Sequence, residues 1–251
     1  ANKDSKEWSE HIRFTCQQPS FTPIAATDKG WLVTGSKFSP NGELVEYNDT
    51  NALYLYDPET REFSEKLYQD PNYDVGGFTG TCRNASGSAG VDYDTRKLLY
   101  VTYEAQEPVK IYFDDEIAEI YNGLDAVFPN EWVSVVTRDK DRNKMVIRVS
   151  SPTNPGDYYF YNREQSQLIP LYNYAPWIDR KIMAETIPVK YTARDGLVIP
   201  AYLTLTKKKT DKNYMIVLPH GGPNTKQRIG FDWWTQFFAN KGYNVLKMDF
   251  R

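Results

Sequence analysis

The chain has 251 residues, 40% of them hydrophobic, and its 30 basic and 33 acidic residues give a net charge of -3. It contains no apolar run near the roughly 18 residues that span a membrane, and no cationic stripe that would bind nucleic acid. Two cysteines, Cys16 and Cys82, and two histidines, His11 and His220, lack metal-site spacing, so no cofactor is predicted. Whether the thiols pair is left open, and His11 is interpreted as an ordinary surface or strand residue.

The first two-thirds of the sequence has the composition of β-structure, with short aromatic and β-branched runs separated by Asn, Asp, Gly and Pro. Three segments align as a strand, a polar turn and a following strand: LYLYDPETREF (53–63), KIYFDDEIAEI (110–120) and YYFYNREQSQL (158–168). A further strand is predicted before each of them, at 30–38, 97–105 and 144–152. A repeat of about 50 residues with several strands is typical of β-propeller blades. An irregular β-sandwich with coincidental spacing is the alternative.

The pattern changes near residue 175, where a short connector is predicted. Beyond it, Asp195-Gly196 separates two alternating runs, which predicts a β-hairpin with a two-residue turn. The basic run KKKTDKN (207–213) is interpreted as a solvated loop between strands rather than as a phosphate site.

The last segments predict a strand, a helix and a second strand. YMIVLP (214–219) is an apolar run typical of a strand buried on both faces of a parallel sheet, and NVLKMDF (244–250) is the next such strand. Between them, four aromatic residues share one helical face: Trp233, Trp234, Phe237 and Phe238. Gly242 stands where a left-handed helix C-cap is expected. The order predicts a βαβ unit, the beginning of an α/β domain.

ARDGLVIPAYLTL, VLPHGGP, GFDWWTQFFANKGYNV and DFR, in this order, resemble consecutive segments of the prolyl oligopeptidase family of serine peptidases, closest to its acylaminoacyl-peptidase-like branch. The motif-bearing match covers about 185–251. The resemblance implies a partial, antiparallel β-propeller of about three blades over 1–177. The first strands and helix of an α/β-hydrolase domain would follow over 178–251. It also implies a short peptide as substrate, hydrolysed by a Ser-Asp-His triad.

The nucleophile of such a hydrolase is absent from the sequence. An α/β-hydrolase carries it in a G-x-S-x-G turn, followed along the chain by Asp and His. No such motif occurs; SGSAG (86–90), around Ser88, lacks the first glycine and is interpreted as a loop. The chain is therefore expected to be an inactive fragment that stops before the triad. The remainder of the parent polypeptide, or another chain, would complete the propeller and the hydrolase.

The HGGP motif is the part of such an active site that the sequence does contain. By resemblance, the backbone N–H of Gly222 is assigned as an oxyanion-hole donor, and glycine lets the backbone approach the substrate closely. His220, Gly221 and Pro223 would support the oxyanion loop, with Gly221 permitting the turn and Pro223 stiffening it. His220 is not interpreted as the general base, because the family places that histidine later in the chain. A plain loop histidine is the alternative.

Two other functions stay open. One is an esterase-type α/β-hydrolase, since the oxyanion loop serves amide and ester cleavage alike. The other is a non-catalytic propeller that binds a partner and carries a degenerate hydrolase remnant. The many Tyr and Trp residues are interpreted as filling of blade cores rather than as a carbohydrate site. The compartment is not indicated by the sequence.

Overall fold

The computed structural model describes residues 10, 21–38, 46–75, 77–79, 83–209, 213–222 and 225–249. Four residues discussed above therefore lie outside the described residues: His11, Cys16, Cys82 and Pro223. The chain divides into two compact units, Ala1–Ala118 and Glu119–Arg251. The predicted domain boundary between residues 177 and 178 falls inside the second unit and stays a prediction. Among the described residues, no helix has both the length and the apolar character that crossing a bilayer requires.

The first unit contains two four-stranded antiparallel sheets. The first sheet is formed by β1 (Thr22–Thr27), β2 (Gly30–Phe38), β3 (Glu46–Asp57) and β4 (Glu62–Gln69). The second is formed by β5 (Gly77–Thr79), β6 (Arg83–Val91), β7 (Leu98–Glu104) and β8 (Pro108–Tyr112). Each strand pairs with the next one along the chain, which is the connectivity expected of propeller blades. One core cluster combines buried side chains of both sheets with Val75 from the loop between them: Leu32, Leu53, Val75, Val101 and Tyr103.

The second of the three aligned segments was predicted wrongly. Its strand ends at Tyr112, and the residues predicted to be a turn and a further strand begin the helix α1 (Asp115–Val127). The Asp114 carboxylate accepts a hydrogen bond from the Ile117 N–H at 3.0 Å and caps this helix. Four apolar side chains three or four residues apart are buried along it: Ile117, Ile120, Tyr121 and Leu124. This helical period outweighs the aromatic alternation that precedes it.

The second unit begins its strands with another antiparallel meander. It is formed by β9 (Trp132–Arg138), β10 (Lys144–Ser151), β11 (Asn154–Asn162) and β12 (Gln167–Asn173). The first and third aligned segments are confirmed as the hairpins β3–β4 and β11–β12. The strands predicted upstream are confirmed as β2, β7 and β10.

A connector and a mixed sheet follow. The elements are a 3-10 turn η1 (Arg180–Ile182), β13 (Thr186–Thr192), β14 (Val198–Thr204), β15 (Met215–Val217), α2 (Trp233–Asn240) and β16 (Asn244–Met248). The strand order is β13-β14-β16-β15, with β15 and β16 parallel and the other pairs antiparallel. The predicted βαβ unit, β15–α2–β16, is therefore confirmed.

The turn between β13 and β14 is one residue longer than predicted. The Ala193 N–H donates to the Leu197 carbonyl oxygen at 2.8 Å, and the Gly196 N–H donates to the Ala193 carbonyl oxygen at 3.0 Å. Gly196 has a φ of 88°. These bonds define a three-residue loop, a type I turn closed by a left-handed glycine, which the Asp-Gly pair alone does not distinguish from a two-residue turn.

The burial predicted for the first parallel strand is wrong. β15 is an edge strand paired only with β16, and Met215 and Val217 are 50% and 52% exposed. On α2 the aromatic face points outward, with Trp234 68% exposed. The residues that α2 buries are Thr235, Gln236 and Ala239.

The end of α2 matches its prediction. Gly242 has a φ of 97°. Its N–H donates to the Ala239 carbonyl oxygen, and the Tyr243 N–H donates to the Phe238 carbonyl oxygen, both at 3.1 Å. This pair of bonds is the Schellman motif, so the helix ends at the predicted C-cap.

Candidate functional site

The His-Gly-Gly segment leaves the sheet at the carboxyl end of β15. The Leu218 N–H donates to the Leu246 carbonyl oxygen at 2.8 Å, which extends the pairing with β16 by one residue. Gly222 then adopts a φ of 145°. Its N–H has no acceptor within the described part of the chain. The carboxyl ends of parallel strands are the edge at which α/β sheets bind ligands.

The His220 side chain points back against the protein and is only 8% exposed. Its Nδ1 atom lies 2.7 Å from the Gly221 carbonyl oxygen. Its Nε2 atom is buried and lies 3.7 Å from the Asp249 Oδ1 atom, too far for a hydrogen bond but close enough for an ion pair when the ring is protonated. The ring therefore sits between the turn and the end of β16.

Asp249 also contacts Gln227, which follows the turn in the chain. Its Oδ1 atom accepts a hydrogen bond from the Gln227 N–H at 2.6 Å. The buried Gln227 side chain in turn donates from Nε2 to the Leu218 carbonyl oxygen at 3.2 Å. We call His220, Gln227 and Asp249 the loop anchor, because together they tie both ends of the turn to β15 and β16.

A partly buried ion pair lies near the loop anchor along β16. The Lys247 Nζ atom donates to the Arg228 carbonyl oxygen at 3.3 Å and to the Asp232 Oδ2 atom at 3.2 Å. Asp232 also caps α2, accepting from the Thr235 N–H at 2.8 Å. Burial alone would raise the pKa of Asp232, but the Thr235 N–H and the Lys247 ammonium group outweigh it and hold that pKa below its usual range. The segment from Gln227 to α2 is thus held at both ends.

The predicted site residues His220, Gly221 and Gly222 lie together at this turn, and their roles stay predictions. Gln227 was not predicted as part of the site, and Asp249 was noted only as part of DFR. Ser88 is not in a loop as interpreted: it lies in β6, with its Oγ atom 2.9 Å from the Thr102 Oγ1 atom. In the ranges that the structure describes, no cluster of three or more His, Cys, Asp or Glu side chains is arranged to hold a metal ion.

No family model matches the sequence. Dipeptidyl aminopeptidase BIII of Pseudoxanthomonas mexicana is 32% identical over 244 residues, which are 92% of this chain and 33% of that protein. Dipeptidyl peptidase family member 6 of Caenorhabditis elegans is 25% identical over 275 residues, 99% of this chain and 34% of that protein. The chain spans about a third of the length of the curated relatives it matches.

Solved structures agree in fold. A puromycin-hydrolyzing peptidase of Mycobacterium tuberculosis matches with a TM-score of 0.57 and 14% identity, over 90% of this chain and 33% of that chain. The acylaminoacyl peptidase of Pyrococcus horikoshii matches with a TM-score of 0.53 and 18% identity, over 92% of this chain and 33% of that chain. The antiparallel sheets correspond to a propeller-like region of such peptidases. The sequence matches and the shared fold relate the chain to peptidases of the prolyl oligopeptidase type.

Proposed function

We propose that this chain is part of a serine peptidase that hydrolyses short peptides through an acyl-enzyme intermediate, with its Ser-Asp-His triad lying beyond residue 251. The observation that carries the proposal is Gly222: its N–H has no acceptor among the described residues, at the carboxyl end of a parallel strand. Acyl transfer places negative charge on the former carbonyl oxygen. One backbone donor aimed at that oxygen contributes roughly 10²–10³ in rate.

The loop anchor supports this role because an oxyanion donor works only when it is already in position before the charge develops. His220 and Asp249 hold the start of the turn, and Gln227 holds its end. His220 is thereby a supporting residue and not the general base. In the same proposal, Gly221 and Pro223 shape the turn on either side of the donor.

The proposal includes a domain organisation for the whole chain. Residues 1–177 form part of a propeller of about three blades, and 178–251 form the first part of an α/β-hydrolase domain. The chain alone is inactive, and the rest of the polypeptide completes both domains. Two facts support this: the chain spans about a third of its relatives, and the outer face of α2 leaves Phe237 54% exposed.

The donor is tested with two Gly→Ala variants of the full-length enzyme. Gly222→Ala places a Cβ at a φ of 145°, where alanine is strained, so the N–H moves. We expect kcat to fall by roughly 10²-fold, within the range for loss of one oxyanion donor, with little change in KM. Gly123→Ala is the control, because Gly123 is exposed on α1 and nothing lies within 4 Å of its added Cβ. Equal kcat values for the two variants would refute the donor assignment.

Two classes of peptide substrate are to be distinguished. Relatives named dipeptidyl aminopeptidase and dipeptidyl peptidase favour release of dipeptides from a free N-terminus, whereas the acylaminoacyl peptidase fold allows acylated residues. Turnover of dipeptidyl anilides and of acetylated amino-acid anilides by the full-length enzyme separates the two. An esterase is the second candidate, since the same Gly222 geometry stabilises ester cleavage. Cleavage of matched esters with no cleavage of the amides would favour it.

A further inference from the structure

A cleft of about 490 Å³ lies within the second unit, away from any residue of the loop anchor. The β9–β11 region forms one wall, and the segment from Ile229 to Trp233, which leads into α2, forms the other. Five aromatic side chains line it: Trp132, Tyr158, Tyr174, Phe231 and Trp233. Phe231 and Trp233 contact each other edge to face, with ring centroids 4.9 Å apart. The cleft therefore offers flat apolar surfaces.

One cation lies among these rings and is fixed in place. The Arg148 guanidinium donates from Nη1 to the Ser150 hydroxyl at 3.1 Å and from Nη2 to the Pro155 carbonyl oxygen at 2.8 Å. It packs against Gly156, where an added Cβ would lie 2.9 Å from Nε. A guanidinium carries five N–H donors, so three have no protein acceptor within the described part of the chain.

The cleft has no negative charge of its own. None of its lining residues is acidic. Among the described residues, no carboxylate forms an ion pair with Arg148, and the neighbouring Asp157 is paired with Arg180. A guanidinium with free, oriented donors is suited to a planar two-oxygen anion. The surrounding rings suit an apolar group attached next to that anion.

We propose that this cleft binds a carboxylate carried beside an aromatic or bulky aliphatic side chain, through the free N–H groups of Arg148. The ligand class is the C-terminal residue of a peptide. That identification rests on the proposed peptidase function, whereas the carboxylate site itself rests only on the cleft.

The test is calorimetric titration of the full-length protein, pretreated with a fluorophosphonate so that any active-site serine is blocked. Three probes are compared: acetyl-Gly-Phe, its neutral C-terminal amide, and acetyl-Glu-Phe amide. We expect the free acid to bind roughly tenfold more tightly than its amide, the scale of a charge-assisted hydrogen bond. Arg148→Gln removes that difference. Trp233→Ala weakens binding, while Trp234→Ala, whose side chain lies outside the cleft lining, does not.

Equal affinity for acid and amide, or an acid preference that survives Arg148→Gln, overturns the inference. If Arg148→Gln fails to fold, the tryptophan pair decides: equal effects of Trp233→Ala and Trp234→Ala overturn it. Tight binding of acetyl-Glu-Phe amide supports a carboxylate site but overturns its assignment to a C-terminus. If the protein binds the free acid through Arg148 but has no peptidase activity, only the proposed function is contradicted. If the protein is an active peptidase but does not bind the free acid through Arg148, only this inference is contradicted.

Discussion

Gln236 connects three segments of the second unit through one side chain. Its Nε2 atom donates to the Pro152 carbonyl oxygen at 2.9 Å and to the Ala184 carbonyl oxygen at 2.8 Å. Its Oε1 atom accepts from the Ala184 N–H at 2.9 Å. Pro152 lies in the turn between β10 and β11, and Ala184 lies in the connector before β13. Gln236→Leu keeps the approximate volume and removes all three hydrogen bonds.

The expected cost follows from the number of bonds lost. Each hydrogen bond contributes about 1 kcal/mol net, and buried groups left without partners cost at least that much, so Gln236→Leu should cost roughly 3 kcal/mol. The Ala184 N–H exchanges with solvent only when this contact opens. If opening is local, exchange at Ala184 should become about a hundredfold faster.

Amide hydrogen exchange followed by mass spectrometry, on peptides that contain Ala184, measures this effect. Gln165→Leu is the control, because Gln165 is exposed and its side chain accepts a single hydrogen bond, from Asn162. That variant should leave exchange at Ala184 unchanged. Gln236→Glu is isosteric but turns a carboxylate oxygen toward two carbonyl oxygens, so it should be at least as damaging as leucine. Exchange in Gln236→Leu within about threefold of the wild type would refute the reasoning.

Two further predictions follow from Asp232 and Gly156. The pKa of Asp232 is lowered in the folded protein, so its contribution to stability is complete above the unfolded value of about 3.9 and is lost as pH falls from there through the folded pKa. Urea midpoints measured at pH 5 and pH 3 should therefore fall further for the wild type than for Asp232→Asn, and equal falls would contradict the pairing with Lys247. Gly156→Ala adds a Cβ 2.9 Å from the Arg148 Nε atom at a φ of 145°, so it should cost about 1–3 kcal/mol of unfolding free energy and weaken binding of acetyl-Gly-Phe. Unchanged urea midpoints and affinity would show that Arg148 does not need this close approach.

Local periodicity predicted much of the fold. Strands such as β10, and each element of the β15–α2–β16 unit, could be predicted from the spacing of apolar residues within a short stretch of sequence. The error at α1 has the same origin, because the strand-like KIYF and the helical EIAEI adjoin, and the repeat alignment favoured the first pattern over the second.

Burial could not be predicted in the same way, because it depends on which partner covers a face. The aromatic face of α2 points outward since the Gln236 amide finds three backbone partners on the opposite face. Nothing in the amino-acid pattern of the helix indicates those partners. Polar residues on a buried face become compatible with burial only when distant carbonyl groups satisfy them.

In the candidate site, too, a local motif could be found from the sequence, whereas contacts between distant residues could not. HGGP identified the turn, because a short motif carries its own backbone requirements. The loop anchor could not be found that way, since Gln227 and Asp249 meet only when β16 pairs with β15. Arg148 gave no signal either, because its role depends on the shape of the cleft and on the carbonyl oxygen of Pro155.

We propose that this chain supplies the oxyanion turn of a serine peptidase whose nucleophile lies beyond residue 251. The most direct test is to treat the full-length protein with a fluorophosphonate probe and to locate the label by peptide mass spectrometry. We predict one labelled serine, C-terminal to Arg251, and no label at Ser88, a β6 residue whose hydroxyl is hydrogen-bonded to the Thr102 hydroxyl in β7. A folded full-length protein that takes no label would contradict this expectation and favour the non-catalytic binding module. A label within residues 1–251 would contradict the position proposed for the nucleophile.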